Sequence, residues 1–109
     1  MAETKLCVNT EIPNQGVKTF KIGDLDIAVF NIEGEFFAIN RKCTHMKGNL
    51  AKGKLDGKKI KCPLHGSVFS LETGELLGQP GTLAGWFKKA KHTIVYKIKI
   101  KDDVLYLKH

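Results

Sequence analysis

The sequence has little of what marks a membrane, secreted or nucleic-acid-binding protein. Its 109 residues contain no run of about 18 apolar residues that could span a bilayer, and residues 1–9 lack the apolar stretch of a signal peptide. Three cysteines, an odd number, do not suggest a disulfide framework. We therefore expect a cytoplasmic protein with no membrane insertion, in which cysteines bind metal.

Arginine is nearly absent from a chain that is otherwise strongly basic. The formal charge is +7, and Arg41 is the only arginine among 18 basic residues. Lysine is a hydrated point charge without the planar fork that reads phosphates and bases. The excess of positive charge fits either a solvated lysine-rich surface or electrostatic steering toward an acidic protein partner. No nucleic-acid module accompanies it, so we expect no nucleic-acid partner.

The chain alternates between short apolar segments and glycine-rich turns, a pattern typical of β structure. A hairpin is predicted for 26–32 and 35–40 around Glu33-Gly34, and a second for 93–101 and 104–107 around Asp102-Asp103. Shorter strands are predicted at 18–23, 58–61, 67–71 and 75–77. The only helical expectation is one turn within 83–91. We therefore expect residues 1–109 to form one all-β domain, a small sandwich or partial barrel.

The last long strand has the clearest alternation in the chain. Ile94, Tyr96, Ile98 and Ile100 share one face, and Lys97, Lys99 and Lys101 share the other. This predicts a half-buried antiparallel strand.

Two short runs carry the metal-binding chemistry. They are Cys43-Thr-His45 and Cys62-Pro-Leu-His65, and both lie between predicted strands. Each run supplies a thiolate and an imidazole from a tight turn, with glycine or proline beside the ligands to bend the backbone. Two such loops brought together can enclose a metal centre.

The ligand set alone allows two kinds of centre. A tetrahedral zinc site accepts two cysteines and two histidines, but zinc sites usually pair cysteine with cysteine and histidine with histidine in sequence. Here each loop is mixed. That mixture fits a [2Fe–2S] cluster with two thiolates on one iron and two imidazoles on the other.

The two runs resemble the paired cluster-binding boxes of Rieske proteins, with Gly66 and Ser67 following the second histidine. The resemblance extends over about residues 24–78, including Gly53-Lys-Leu-Asp-Gly and Phe69-Ser-Leu-Glu-Thr-Gly-Glu. It implies a Rieske-like fold of two or three small antiparallel sheets, with the cluster-binding loops at one tip. It also implies a ligand set, in which Cys43 and Cys62 bind one iron and His45 and His65 bind the other.

The sequence departs from the high-potential members of that family. Their two additional cysteines, which form a disulfide, are replaced here by Gly48 and Leu64, and their tyrosine is replaced by Phe69. Ser67 is retained, and its hydroxyl would stabilise the reduced cluster. The resemblance therefore implies a reduction potential in the lower part of the Rieske range of roughly −150 to +300 mV.

Other residues have subsidiary expected roles. Met46 and Leu64 are expected to shield the cluster or to form an apolar docking face. Pro80 matches a proline loop that packs behind the cluster in the family. The segment from Trp86 to Lys91 is expected either to cover a sheet edge or to contact a partner. Cys7 is expected to be a buried structural thiol, and the two remaining histidines, His92 and His109, are expected at the surface.

The resemblance implies an electron carrier rather than an enzyme. The chain has no G-x-G-x-x-G motif for a hydride cofactor, and we expect a monomer that passes single electrons from a reductase to a terminal oxidoreductase, such as an oxygenase. The redox partners are expected to dock near His45 and His65. Two alternatives stay open: a small Rieske subunit of a larger oxidoreductase, as in nitrite reductases, and a structural zinc module.

Overall fold

The computed structural model describes residues 3–42, 48–63, 66–78 and 92–109. Two sheets account for most of them. The strands are β1 Glu3–Val8, β2 Val17–Ile22, β3 Leu25–Ile32, β4 Glu35–Asn40, β5 Lys54–Asp56, β6 Lys59–Lys61, β7 Val68–Ser70, β8 Leu76–Gly78, β9 Val95–Lys101 and β10 Val104–Lys108. Single 3₁₀ turns occupy Asn9–Glu11 and Leu50–Lys52. None of the helical segments described is long and apolar enough to cross a membrane.

Both predicted long hairpins are present. In the β3–β4 hairpin the pair next to the turn is Ile32 with Glu35, and in the β9–β10 hairpin it is Lys101 with Val104. Each two-residue turn has two positive φ angles, +53° and +88° at Glu33-Gly34 and +51° and +64° at Asp102-Asp103. Two left-handed residues define the turn whose twist matches that of the strands it joins.

Pairings between distant segments complete the larger sheet, whose order is β1-β10-β9-β4-β3-β2. The first described strand pairs with the last, with Glu3 opposite Lys108. A short pairing of β4 with β9, at Ala38–Tyr96 and Ile39–Val95, joins the two hairpins. The sequence pattern did not predict β1, because its partner lies at the other end of the chain.

The smaller sheet is the meander β5-β6-β7-β8. Strands β6 and β7 are shorter than predicted: Lys58 lies in the turn before β6, and both Ser67 and Leu71 lie outside β7. Strand β8 has the predicted length but begins one residue later, at Leu76. Strand β5 was not predicted, and it pairs with β6 across the turn Gly57-Lys58. Three-residue strands carry too little alternation to reveal their ends.

Strand β3 is buried on both faces, and the two faces belong to different cores. Ile27 and Val29 pack with Leu105 and Leu107 from the far side of the sheet, so the larger sheet curls into a partial barrel. Cys7 is buried in the same core, as expected. The opposite face packs against the smaller sheet through a second core, made of Ala28, Phe30, Ile32, Ile39, Leu50, Ile60, Cys62, Phe69 and Leu71.

The prediction for β9 was wrong at its two ends. Tyr96 and Ile98 pack on the barrel core, but Ile94 precedes the strand and is 56% exposed, and Ile100 is 49% exposed. Ile100 lies near the Asp102-Asp103 turn, opposite Leu105, which is fully buried. The predicted helical turn at 83–91 lies outside the described residues.

Candidate metal centre

The second predicted box forms the loop of a short hairpin. Strands β6 and β7 pair antiparallel, and residues 62–67 connect them. The amide of Cys62 donates to the carbonyl of Ser67 at 2.7 Å, and the amide of Gly66 donates to the carbonyl of Cys62 at 3.1 Å. Gly66 has a φ of +81°, a conformation that a side chain would strain. These bonds hold the loop closed at its base.

Cys62 lies at the edge of the core between the two sheets. It is 2% exposed and packs in the cluster that contains Ile60 and Phe69. Phe69 is fully buried behind the loop. A thiol in this position has one apolar side closed to water, as a cluster ligand requires.

Ser67 carries a polar atom that the described residues do not satisfy. The residue is fully buried, and its Oγ has no hydrogen-bond partner among them. A buried hydroxyl without a partner is unfavourable by about 1–3 kcal/mol. Because it lies at the base of the Cys62 loop, this hydroxyl fits a site that supplies an acceptor such as a cluster sulfide.

The base of the first loop is held by backbone and side-chain contacts on both sides of the predicted ligands. Lys42 and Asn49 form a β-bridge, and the amide of Leu50 donates to the carbonyl of Arg41 at 2.7 Å. The Asn49 side chain caps the following 3₁₀ turn by accepting from the amide of Ala51. The chain thus leaves and re-enters this loop at adjacent points.

Arg41 is anchored on the side facing β3. Its guanidinium donates two hydrogen bonds to the carboxylate of Asp26, and its amide donates to the Asp26 carbonyl at 2.9 Å. The guanidinium lowers the pKa of Asp26 below its usual value, and the carboxylate raises the pKa of Arg41. This pair was not singled out from the sequence. The available signal was a lone arginine, two residues before Cys43, in a lysine-rich chain.

The bases of the two loops meet in the core. Leu50, at the end of the first loop, packs in the same cluster as Ile60 and Cys62. Gly53 passes so close to β6 that a Cβ there would overlap the carbonyl oxygen of Lys61. The predicted site residues Cys43, His45, Met46, Leu64, His65 and Pro80, and the segment 86–91, lie outside the described residues.

Cys7, His92 and His109 have the surroundings expected of residues outside the metal centre. Burial is the main cause that raises the pKa of the Cys7 thiol, and the nearby Glu11 carboxylate raises it further. His92 is exposed, with its Nδ1 accepting from the amide of Leu76. His109 is exposed, and its Nε2 forms a hydrogen bond with Thr4 Oγ1. The expected positions of all three are confirmed.

Comparison with known proteins identifies the family. The model of the Rieske [2Fe-2S] domain matches residues 2–95. The chain belongs to the Rieske family. As a member of it, the chain carries one Rieske-type [2Fe–2S] cluster. The buried Cys62 thiol fits that group, and so does the Ser67 hydroxyl, which has no partner among the described residues.

Relatives of this Rieske chain are named as ferredoxin components. It is 32% identical to the 3-phenylpropionate/cinnamic acid dioxygenase ferredoxin subunit of Photorhabdus laumondii, covering 98% of this chain and 94% of the relative. It is 34% identical to the ferredoxin component of the naphthalene 1,2-dioxygenase/salicylate 5-hydroxylase systems of a Ralstonia species, covering 90% and 86%. These are electron-transfer proteins rather than catalytic ones.

A solved structure gives the same result for the fold. A chain in the complex of reduced oxygenase and oxidized ferredoxin of carbazole 1,9a-dioxygenase superposes with a TM-score of 0.82. The match covers 96% of this chain and 91% of that chain at 26% identity. The all-β Rieske-like fold predicted from the sequence is confirmed.

Proposed function

We propose that this Rieske protein is a one-electron carrier that accepts electrons from a reductase and delivers them to an oxygenase of a dioxygenase system. The observation that carries this proposal is the match to a dioxygenase ferredoxin subunit over nearly the whole of both chains. A relative of this size consists of little beyond the Rieske domain. The same comparison supports treating residues 1–109 as one domain, and we place that domain in the cytoplasm.

The proposed ligands are Cys43 and Cys62 for one iron, and His45 and His65 for the other. The cluster, when bound, takes up and releases one electron. Cys62 supports the assignment by its buried position at the base of the loop between β6 and β7. Partners are proposed to approach the histidine side, with Met46 and Leu64 shielding the centre.

The residues of the chain that surround the centre tune and protect it. Phe69 and the core between the sheets exclude water behind Cys62. The Ser67 hydroxyl donates toward a cluster sulfur and stabilises the reduced state. Phe69 offers no second hydroxyl, and Pro80 is proposed to lie in a loop that packs behind the cluster. One hydroxyl rather than two places the expected reduction potential in the lower half of about −150 to +300 mV.

The first experiment is to record the visible absorption, the iron and sulfide content, and the EPR spectrum of the dithionite-reduced protein. We expect a red-brown protein with two irons, two sulfides and a Rieske-type signal of low average g. Redox titration followed by EPR then gives the potential. A colourless, EPR-silent protein with one zinc would contradict the proposal and favour the zinc module.

A ligand variant completes the test. Cys62→Ala should abolish the visible spectrum, whereas Cys7→Ala, which removes the other buried cysteine of the described chain, should retain it. Retention of the full iron content by Cys62→Ala would show that the second box does not bind the cluster.

A further inference from the structure

An open depression borders the Cys62 loop and is rimmed by positive charge. Its volume is about 440 Å³, and its lining residues are Lys52, Gly53, Lys54, Lys61, Cys62, Pro63 and Gly66. The three lysines are exposed. We call Lys52, Lys54 and Lys61 the lysine rim. Among the lining residues that the structure describes, none carries a carboxylate.

The lysine rim is electrostatically uncompensated within the described part of the chain. Lys54 and Lys61 lie directly opposite each other in the β5–β6 pair, an arrangement in which like charges repel. The ion pairs found among the described residues use other cations, namely Lys18, Arg41, Lys58 and Lys99. The outward face of β5–β6 also carries one acidic and one basic residue, Asp56 and Lys59. Their charges cancel, so the net charge of this face remains positive.

The backbone fixes the positions from which these lysines extend. Gly53 lies between Lys52 and Lys54, and its close approach to the carbonyl of Lys61 leaves no room for a side chain. Its amide donates to the carbonyl of Leu50 at 3.0 Å, closing the 3₁₀ turn. The two sides of the β5–β6 hairpin are thereby held together at the depression, so the three lysines lie close to one another.

We propose that the lysine rim is the docking surface for an acidic patch, a group of aspartate and glutamate side chains, on the protein that exchanges electrons with this chain. This inference rests on the proposed function. A partner carboxylate in the depression relieves the repulsion between Lys54 and Lys61, and it brings the partner's surface against the Cys62 loop. Complementary charge near the redox centre raises the rate of productive encounter.

The chemistry of the rim favours an acidic protein over nucleic acid. Its cations are all lysines, which do not bind phosphate in a bidentate fashion. Among the described residues that line the depression there is also no aromatic side chain on which a base could stack. The excess of lysine in the sequence fits either a solvated surface or a surface that steers a partner, and the lysine rim favours steering.

A second set of lysines provides a matched control. Lys5, Lys97 and Lys101 are exposed and lie on the face of the β1–β10–β9 part of the larger sheet opposite the barrel core. Neighbouring lysines of that face border the Leu71-Glu72 turn, which is at the other end of β7 from the Cys62 loop. The rim variant Lys52→Glu/Lys54→Glu/Lys61→Glu and the control variant Lys5→Glu/Lys97→Glu/Lys101→Glu have identical net charge.

The first test measures the oxidation of the reduced holoprotein by ferricyanide in a stopped-flow instrument. One electron passes from the protein to ferricyanide, giving ferrocyanide, and no proton moves. At about 0.1 M ionic strength the screening length is about 10 Å, so only charges near the electron-transfer site act on the anion. We expect the rate constant of the rim variant to be lower than that of the wild type by a factor of about three or more, and that of the control variant to be nearly unchanged. The neutral variant Lys52→Gln/Lys54→Gln/Lys61→Gln should fall between them.

The second test is independent of electron transfer and uses carboxylate groups directly. On a carboxymethyl cation-exchange resin, the rim variant should elute at lower salt than the control variant, although their net charges are equal. If the wild type exchanges electrons with ferricyanide but the two variants have equal rates and equal elution, the docking inference is wrong and the carrier function stands. If the wild type holds no [2Fe–2S] cluster, the carrier function fails, and with it the docking inference.

Discussion

Arg41 holds Asp26 through two charge-assisted hydrogen bonds, 2.7 Å from Nε to Oδ1 and 2.6 Å from Nη2 to Oδ2. The two side chains are 24% and 18% exposed. Through this pair the chain's only arginine ties the entry of the first cluster-binding loop to the start of β3. A parallel two-bond pair fixes orientation as well as distance, which a lysine could not do at this position.

Replacing Arg41 with lysine should therefore destabilise the protein although the charge is kept. We expect Arg41→Lys to lower the free energy of unfolding by about 1 kcal/mol, because one of the two hydrogen bonds is lost. Urea unfolding of the holoprotein measures it. The matched control is Lys18→Gln, which breaks the exposed Lys18–Glu11 pair and should have a much smaller effect. Equal effects of the two variants would refute the anchoring role of Arg41.

Asp26 should titrate at unusually low pH in the folded protein. Because its folded pKa lies below the unfolded value, the pair contributes stability above the unfolded pKa of about 3.9, and the contribution is lost as pH falls through the folded pKa. Carbon-detected NMR of the Asp26 carboxyl measures the folded pKa directly. In Arg41→Gln the same carboxyl should titrate closer to its ordinary pKa. An unchanged Asp26 titration in that variant would contradict the assigned cause.

Removing the Ser67 hydroxyl should lower the reduction potential. If that hydroxyl favours the reduced state by about 1 kcal/mol, Ser67→Ala should shift the midpoint negative by about 40 mV. Thr93→Val is the control, since Thr93 is also buried with an Oγ1 that has no partner among the described residues, but its amide is bonded to Gly74, beyond the far end of β7. The potential of Thr93→Val should be unchanged. Equal shifts, with full iron content in both variants, would remove Ser67 from the site.

Gly74 should tolerate no side chain. Its φ is +79°, and a Cβ would overlap the carbonyl oxygen of Thr93, whose amide donates to the Gly74 carbonyl at 2.9 Å. Gly34 has a similar φ of +88° but open space around it. Both alanine variants carry the backbone strain, so Gly74→Ala should lose about 1 kcal/mol or more of unfolding free energy beyond Gly34→Ala. Thermal or urea unfolding compares them, and equal losses would mean that the Thr93 contact relaxes without cost.

Local pattern was sufficient for the hairpins and for the metal-binding boxes. The Glu33-Gly34 and Asp102-Asp103 turns lie between alternating segments, so both strands and their register follow from contiguous sequence. The boxes are equally local, because each places a cysteine and a histidine within four residues. The resemblance to the Rieske family depended on those boxes, and the family match confirms it.

Contacts between distant segments needed the folded chain. The pairing of Cys7 with Leu105 and the curl that brings Val29 to Leu107 leave no local signature. A side chain's local period predicts its face but not how much of it is covered: Ile100 is 49% exposed, whereas Leu105 opposite it is fully buried. The sequence by itself determined the strands, turns and ligand types, because these depend on neighbours along the chain. Only the tertiary structure decided which charges and hydroxyls surround the site, because those neighbours come from elsewhere in the fold.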